Sequence, residues 1–299
     1  MKSGHWRRWQ PRIKKRSTAE TTGQETGDVF GVVEARLLRL PLSRHLWKRH
    51  HDFSVLTGYI DEAKHVAYQS NGDQRAEDWL YLLALSAPRA AVAQESMDEH
   101  PHGYHNKEAR LYELIDFNDA FVAAILALPS QYLPSASTKI KQLMDLACKK
   151  VGTRCFSDEQ YGAIVHGLSR EIAVYRGLLA EGYEAEMTNR IGDALGIDMR
   201  VIDPKTMRLV NVDIKTRSSY HYRIQQLLRE GRLDEETYAM ADRNGFAIVY
   251  NGHDRERTKV VVWRIDHEVV GEVVDFAFKD TEALAGVMRI IMLAAGEPA

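Results

Sequence analysis

Hydrophobic residues recur with a helical period in the first half of the chain, between about residues 35 and 155. Three segments there place apolar side chains on one helical face. The apolar positions are Trp79, Leu80, Leu82, Leu83 and Leu85, then Leu111, Leu114, Ile115, Phe121, Val122, Ile125 and Leu126, and finally Ile140, Leu143, Met144 and Leu146. Pro88, Pro129 and Pro134 are expected to interrupt these segments. The pattern predicts a mainly α-helical domain over residues 31–155.

The pattern changes in the second half, from residue 156 to residue 299. Ser157 and Gln160 have capping-box spacing, which predicts a helix that begins there and runs to about Ala180. Strand-like runs follow at 184–188, 197–203 and 209–215, then polar helices at about 220–229 and 234–242, strands at 246–250 and 259–265, and a helix at 281–294 with Asp280 as its N-cap. The turn residues around Pro204 make the second and third strands an antiparallel hairpin. This order predicts an α/β fold with a mixed sheet flanked by helices.

Side-chain alternation in this hairpin places two acids and a lysine together. In the strand 209–215, Asp213 and Lys215 share one face, and the β-branched residues occupy the other. In the preceding strand, Asp198 is expected to share a face with Arg200, opposite the face formed by Ile197, Met199 and Val201. Pairing across the turn then brings Asp198 beside Asp213. Two carboxylates this close repel unless a cation lies between them, and Mg²⁺ suits such a site.

A further acid, Glu171, lies on the apolar stripe of the predicted helix at 157–180. It follows Leu168 by three residues and precedes Tyr175 by four, so it projects from the buried side of the helix. An unpaired carboxylate in that position is costly. We therefore expect Glu171 to have a cationic partner.

These residues together resemble the PD-(D/E)XK nuclease superfamily: Glu171 on a helix, Gly196-Ile197-Asp198 on one strand, and Asp213-Ile214-Lys215 on the next. The resemblance covers about residues 157–266 and implies a restriction-endonuclease-like αβββαβ core. It implies that Asp198 and Asp213 bind Mg²⁺ or Mn²⁺, and that the Ile214 carbonyl completes the metal shell. Glu171 would bind the metal directly or through water.

The same resemblance gives Lys215 a role in the chemistry. Its amine would orient or deprotonate the attacking water and stabilise the charge that develops on the phosphate. Asp193, on the loop before Asp198, is an additional acid that would substitute in part.

Two positions depart from the pattern of the superfamily. Proline often precedes the first aspartate in the superfamily, whereas this chain has Ile197. Exonuclease-like branches have a Gln-x-x-x-Tyr motif on the helix after the lysine, but here Gln225 and Gln226 are followed four residues later by Arg229 and Glu230. The second departure favours an endonuclease.

Basic residues suggest where nucleic acid would bind. On the helix after Lys215, Arg217, Arg223 and Gln225 are candidate contacts, although a solvated amphipathic helix explains them equally well. Residues 2–16 contain Trp6 and Trp9, no acid, and seven basic residues: Lys2, Arg7, Arg8, Arg12, Lys14, Lys15 and Arg16. Residues 1–30 thus suit a basic flexible arm and linker that pairs with phosphates and stacks on bases. A disordered tail or a transit peptide is the alternative.

Composition narrows the class of protein. With 44% hydrophobic and 27% charged residues the chain is globular, and a net charge of −2 argues against indiscriminate coating of nucleic acid. Cys148 and Cys155 fit neither a disulfide framework nor zinc spacing, which favours the cytoplasm. No apolar run is long enough to cross a membrane, so no membrane partner is expected.

Phosphate-loop and dinucleotide motifs are absent from the sequence. His100, His102 and His105 fit a polar loop better than a zinc or nickel site.

The sequence therefore predicts a metal-dependent nuclease, with a DNA endonuclease favoured over an RNA nuclease. The alternative from another class is a non-catalytic nucleic-acid-binding or assembly protein on a nuclease-like fold. In either case the helical domain would recognise DNA, a partner protein or a second copy of the chain. For Asp198, Asp213 and Lys215 the structural alternative is an exposed, ion-paired hairpin.

Overall fold

The computed structural model describes eight stretches of the chain. They are residues 28–39, 56–60, 66–70, 75–99, 108–188, 192, 195–251 and 257–298. The predicted basic arm with Arg7, Arg8, Lys14 and Lys15, the histidine-containing segment 100–105, and Asp193 lie outside these residues.

The amino-terminal part is mainly helical, as predicted. Its elements are α1 (Val29–Arg39), β1 (Leu56–Ile60), β2 (Val66–Ser70), α2 (Ala76–Asp98), α3 (Glu108–Ala127) and α4 (Leu133–Val151), with a short 3₁₀ turn at Ser130–Tyr132. Strands β1 and β2 form an antiparallel hairpin. Pro88 lies inside α2 and does not interrupt it, so that expectation is wrong. Pro88 is itself buried in a run of buried residues, although proline has no N–H to donate within the helix.

The second part contains the sheet and the helices around it. Its first elements are α5 (Asp158–Ala180), β3 (Glu184–Met187), β4 (Met199–Asp203), β5 (Arg208–Lys215), α6 (Arg217–Arg229), α7 (Glu235–Asn244), β6 (Phe246–Asn251) and β7 (Thr258–Arg264). The remaining elements are α8 (His267–Val270), β8 (Val273–Val274), β9 (Ala277–Phe278), α9 (Glu282–Ala295) and β10 (Glu297–Pro298). The predicted mixed α/β sheet is confirmed.

Strand order in the main sheet is β3-β4-β5-β7-β6, and β10 adds a short pairing to β5. Strands β4 and β5 form the predicted antiparallel hairpin. Strand β5 runs parallel to β7, with Lys215 opposite Arg264 in the register. The two strands end side by side. Directly after β7, the Ile265 amide donates a hydrogen bond of 2.9 Å to the Lys215 carbonyl.

Local sequence signals explain where the helices of the second part begin. The Ser157 hydroxyl accepts a hydrogen bond from the Gln160 amide at 3.1 Å, and the Gln160 side chain accepts one from the Ser157 amide at 2.9 Å. This confirms the predicted capping box, which satisfies two otherwise unpaired donors. Thr216 caps α6 in a similar way, immediately after Lys215. Asp280 was the expected N-cap of α9, but Thr281 occupies that position. The Asp280 carboxylate still accepts a hydrogen bond of 3.0 Å from the Glu282 amide.

Hydrophobic residues cover both faces of the sheet. Val210, Val212 and Ile214 of β5 join a cluster that includes the carboxyl half of α5 and the buried face of α9. On the opposite face, strands β6 and β7 pack against α6 and α7. A third cluster lies among the amino-terminal helices and includes Leu168 and Ile172 of α5. Helix α5 therefore belongs to two cores, and Glu171 lies where they meet.

None of the helices in the described part of the chain combines the length and the apolar character needed to cross a bilayer.

Candidate functional site

The last residues of β5 form the floor of the site. Val210, Val212 and Ile214 belong to one buried cluster, which confirms the predicted apolar face of this strand. Alternation puts Asp213 and Lys215 on the other face, beside the core formed with α6 and α7. Asp213 is only 2% exposed, although it is ionisable. A carboxylate at this depth requires nearby positive charge.

Asp198 approaches β5 from outside the regular part of β4. The β4–β5 register ends at the pair Met199 and Val212. Beyond it, the Asp198 amide donates to the Val212 carbonyl at 2.9 Å, and Asp198 Oδ2 accepts a hydrogen bond from the Ile214 amide at 2.6 Å. The side chain thus takes the acceptor position that a continuing β4 strand would have filled. This places the carboxylate next to the end of β5.

The expected side-chain alternation is wrong at the start of β4. Ile197 was expected to share a face with Met199 and Val201, yet Ile197 packs in the core with α6 and α7, whereas Met199 and Val201 pack on the α5 side. Gly196 has a φ of +70°, and the Ile197 amide donates to the Gly192 carbonyl at 2.9 Å. Residues 195 and 196 therefore form a turn that leads through Ile197 and Asp198 to the first residue of β4, and strand alternation does not apply to this segment.

Lys215 lies between the two aspartates. Its ammonium forms an ion pair with Asp213 Oδ1 and lies 3.7 Å from Asp198 Oδ2. It also donates a hydrogen bond of 3.3 Å to the Ile214 carbonyl, so that oxygen faces the same space. The Lys215 side chain is 26% exposed. The lysine side chain is therefore partly buried, and the carboxylates that it contacts are more deeply buried.

Glu171, on helix α5, interacts electrostatically with the same ammonium. Burial opposes the charge on Lys215, but the charges of Asp198, Asp213 and Glu171 outweigh burial and raise the pKa of the lysine above its ordinary value. The structure thus brings together Glu171, Asp198, Asp213 and Lys215. Lys215 is an ammonium at neutral pH, and an ammonium donates hydrogen bonds and accepts no proton. This state favours orienting water and stabilising negative charge over deprotonating water.

The charge of this cluster suits a hard cation. The charges of three carboxylates, those of Asp198, Asp213 and Glu171, act on the Lys215 ammonium. The oxygen donors of Asp198, Asp213, Glu171 and the Ile214 carbonyl are of the type that Mg²⁺ and Mn²⁺ prefer. Within the described ranges, no group of three or more His, Cys, Asp or Glu side chains is arranged to hold a metal ion. The Lys215 ammonium contacts both Asp198 and Asp213, so it lies between the two carboxylates.

The candidate nucleic-acid contacts lie on α6, which begins directly after Lys215. Arg217 is 59% exposed, and its guanidinium is 4.0 Å from Glu268. Arg223 is partly buried and donates to Gln226 at 3.2 Å, whereas Gln225 is exposed. Arg217 is therefore the residue of this set that is closest in sequence to the site and open to a phosphate.

Sequence reasoning missed Asn251, the last residue of β6. It is one of the few buried polar side chains in the described part of the chain, with 5% exposure. Its amide group contacts the turn that leads to Asp198. The one available signal was a polar residue that directly follows the apolar run 246–250, and such a residue ordinarily marks the end of a strand.

Comparison of the chain with known protein families, curated proteins and solved structures gave no match.

Proposed function

We propose that this protein is a nuclease that uses Mg²⁺ or Mn²⁺ to hydrolyse phosphodiester bonds, with DNA as substrate and internal cleavage as its mode. One observation supports this most strongly: the Lys215 ammonium lies at the end of a central strand, where the charges of three carboxylates act on it. Carboxylate oxygens gathered in one place with little exposure to water are suited to binding a divalent cation.

An exposed ion pair does not explain this cluster as well. Asp213 is 2% exposed, and the Asp198 side chain is 8% exposed. Ion pairs that contribute little to stability are those on the surface, where water screens both charges. Taking two carboxylates and their ammonium partner out of water is costly. A group of this kind is more typical of a functional site than of a stabilising one.

The topology is in keeping with a restriction-endonuclease-like core. Helix α5 is followed by the antiparallel strands β3, β4 and β5, then by α6 and α7, and finally by β7, which runs parallel to β5. This order agrees with αβββαβ when α7 and the edge strand β6 are counted as additional elements. Arg229 and Glu230, in place of the tyrosine of exonuclease-like branches, support internal cleavage.

Each residue has a distinct role in the proposed reaction. Asp198, Asp213, the Ile214 carbonyl and Glu171 would hold the cation. A bound divalent cation lowers the pKa of water and neutralises charge on the phosphate. Lys215 orients the attacking water by donating a hydrogen bond, and its positive charge stabilises the phosphate oxygens as negative charge builds up on them. Arg217, at the start of α6, contacts a neighbouring phosphate of the substrate.

Free thiols suggest the compartment. Cys148 and Cys155 are both unbridged. Unbridged cysteines are in keeping with a reducing compartment, and we place the protein in the cytoplasm.

A cleavage assay tests the proposal. Purified protein is incubated with supercoiled, linear and single-stranded DNA and with RNA, in Mg²⁺, Mn²⁺ or EDTA. We expect nicked and linear products from supercoiled DNA in either metal, and none in EDTA. Lys215→Met should abolish cleavage. Lys259→Met is its matched control, because Lys259 also binds a backbone carbonyl and an acid, Ala295 at 3.1 Å and Glu297 at 3.3 Å, at the other end of the sheet. Cleavage that persists in EDTA or in Lys215→Met contradicts the proposal.

A further inference from the structure

Asn251 ends strand β6 with its side chain buried between two partners. Its Nδ2 donates a hydrogen bond of 2.7 Å to the Leu195 carbonyl. Its Oδ1 accepts a hydrogen bond from the Arg232 guanidinium, which also donates to the Tyr250 carbonyl at 2.8 Å. A carbonyl only accepts and a guanidinium only donates, so the orientation of the amide is fixed by its partners.

The turn that Asn251 contacts leads directly to the candidate metal ligand Asp198. Gly196 follows Leu195 and has a φ of +70°, a conformation that glycine adopts readily. A Cβ atom built on Gly196 lies 3.4 Å from Asn251 Nδ2 and 3.9 Å from Asp213 Oδ2. Asn251 and Asp213 therefore flank the same glycine. Two residues later, the Asp198 carboxylate reaches the Ile214 amide.

Contacts from neighbouring elements hold this turn, because it lies outside the strand register. On the β3 side, the Thr188 hydroxyl donates a hydrogen bond to the Ile197 carbonyl, and the Thr188 amide donates one to the Asp198 carbonyl. Asn251 bonds the Leu195 carbonyl from the β6 side. The turn is thus held from both sides, and the Asp198 carboxylate is kept beside Asp213 and Lys215.

We propose that Asn251 is a positioning residue of the metal site: by bonding the Leu195 carbonyl it holds the turn 195–198 in the place where Asp198 and Asp213 bind one cation together. This inference rests on the proposed function. Asn251 touches neither the metal nor the substrate. It acts through the backbone of the turn, and Arg232 fixes the amide in the orientation that this requires.

The expected effect follows from what removal of the amide does. Leucine has nearly the shape of asparagine but can form neither hydrogen bond, so Asn251→Leu frees the Leu195 carbonyl while keeping the volume filled. Residues that orient metal ligands typically change metal affinity by about 10- to 100-fold when they are mutated. We expect Asn251→Leu to weaken Mn²⁺ binding by about 10-fold or more, and to raise the Mg²⁺ concentration for half-maximal cleavage similarly.

The experiment measures Mn²⁺ binding without substrate, by calorimetry on the full-length protein, beside the Mg²⁺ dependence of cleavage. Asn211→Leu is the matched control. The Asn211 side chain donates a hydrogen bond of 3.0 Å to the Lys259 carbonyl, so this variant also loses one bond between a strand asparagine and a backbone carbonyl, away from the turn. Arg232→Met is a second test at an exposed position, and it should weaken Mn²⁺ binding by a smaller factor than Asn251→Leu does.

The outcomes separate this inference from the proposed function. A wild-type protein that neither binds Mn²⁺ nor cleaves nucleic acid refutes the function itself. If the wild type does both, unchanged Mn²⁺ affinity in Asn251→Leu overturns the positioning role. An equal loss in Asn211→Leu also overturns it, because the effect would then be general. If Asn251→Leu does not fold, Arg232→Met decides, and wild-type Mn²⁺ affinity in that variant overturns the inference.

Discussion

Strand β4 is bounded by two aspartates, Asp198 just before its first residue and Asp203 at its last, and the two differ in their surroundings. Asp203 Oδ1 accepts a hydrogen bond of 2.9 Å from the Lys205 amide, and Oδ2 accepts one of 2.8 Å from the Thr206 hydroxyl. Although burial works in the opposite direction, these hydrogen bonds lower the pKa of Asp203. The charge of Lys205 adds to their effect, so the charge of Asp203 is stabilised by groups of its own turn. This is the pattern of a structural turn.

Asp198 also accepts a backbone amide, but from the neighbouring strand. Its carboxylate lies near Asp213 and shares Lys215 with it, and Glu171 adds a third negative charge. The hydrogen bond alone therefore does not distinguish a structural aspartate from a candidate ligand. The difference is that Asp198 shares the Lys215 ammonium with a second, buried carboxylate, whereas Asp203 is bonded within its own turn.

The largest expected effect is on cleavage when a site carboxylate becomes an amide. Asp213→Asn keeps the shape of the side chain and removes the charge that would hold the cation. We expect cleavage of supercoiled DNA to fall by at least about 100-fold, since removing one electrostatic element of a site commonly costs that much. Asp203→Asn should retain cleavage within about twofold of wild type. Similar losses in the two variants would contradict the distinction between the two aspartates.

The next effect separates metal binding from catalysis at Lys215. Its ammonium takes the place between Asp198 and Asp213, so it competes with an incoming cation. Lys215→Met should therefore bind Mn²⁺ in calorimetry more tightly than the wild type, by several-fold, while losing cleavage. Each tenfold gain in affinity corresponds to about 1.4 kcal/mol. Weaker Mn²⁺ binding in Lys215→Met, with Lys259→Met unchanged, would show that the lysine does not occupy the cation position.

Much of this site could be predicted from the sequence, because strand alternation is reliable within a regular strand. Val210, Val212 and Ile214 pack on one face of β5, and the antiparallel hairpin follows from the turn chemistry around Pro204. Alternation failed at Ile197, where the positive φ of Gly196 begins a turn. Local patterns do not reveal such a break, since glycine is compatible with both strand and turn.

Long-range partners were harder to predict than local ones. Glu171 was identified from the apolar stripe of its own helix, and the structure places its charge near Lys215. Asn251 was missed, because its contact with Leu195 joins residues that are far apart in the chain. The mixed sheet brings β6 to the turn before β4, and no spacing in the sequence encodes that approach.

Glycine substitutions test the turn on the Asp198 side with a smaller expected effect. Gly196 and Gly182 both have positive φ values, +70° and +84°, so alanine strains the backbone by about 1 kcal/mol at either position. The Cβ has open space at Gly182, whereas at Gly196 it meets Asn251 and Asp213. We expect both variants to melt a few degrees lower, and Gly196→Ala alone to bind Mn²⁺ more weakly. Equal Mn²⁺ affinity in the two variants would show that the turn does not position Asp198.

The smallest effect concerns the stability that Asp203 contributes. The pKa of its carboxyl lies below the ordinary value of 3.8 in the folded protein, so its charge stabilises the fold above that pH. This contribution is lost as pH falls through the folded-state pKa. Asp203→Asn should therefore unfold at a lower temperature than the wild type at pH 7, with the difference shrinking below about pH 4. Because Asp203 is partly exposed, we expect a shift of a few degrees at most. A difference in melting temperature that stays constant from pH 7 to pH 3 would mean that the charge of Asp203 does not stabilise its turn.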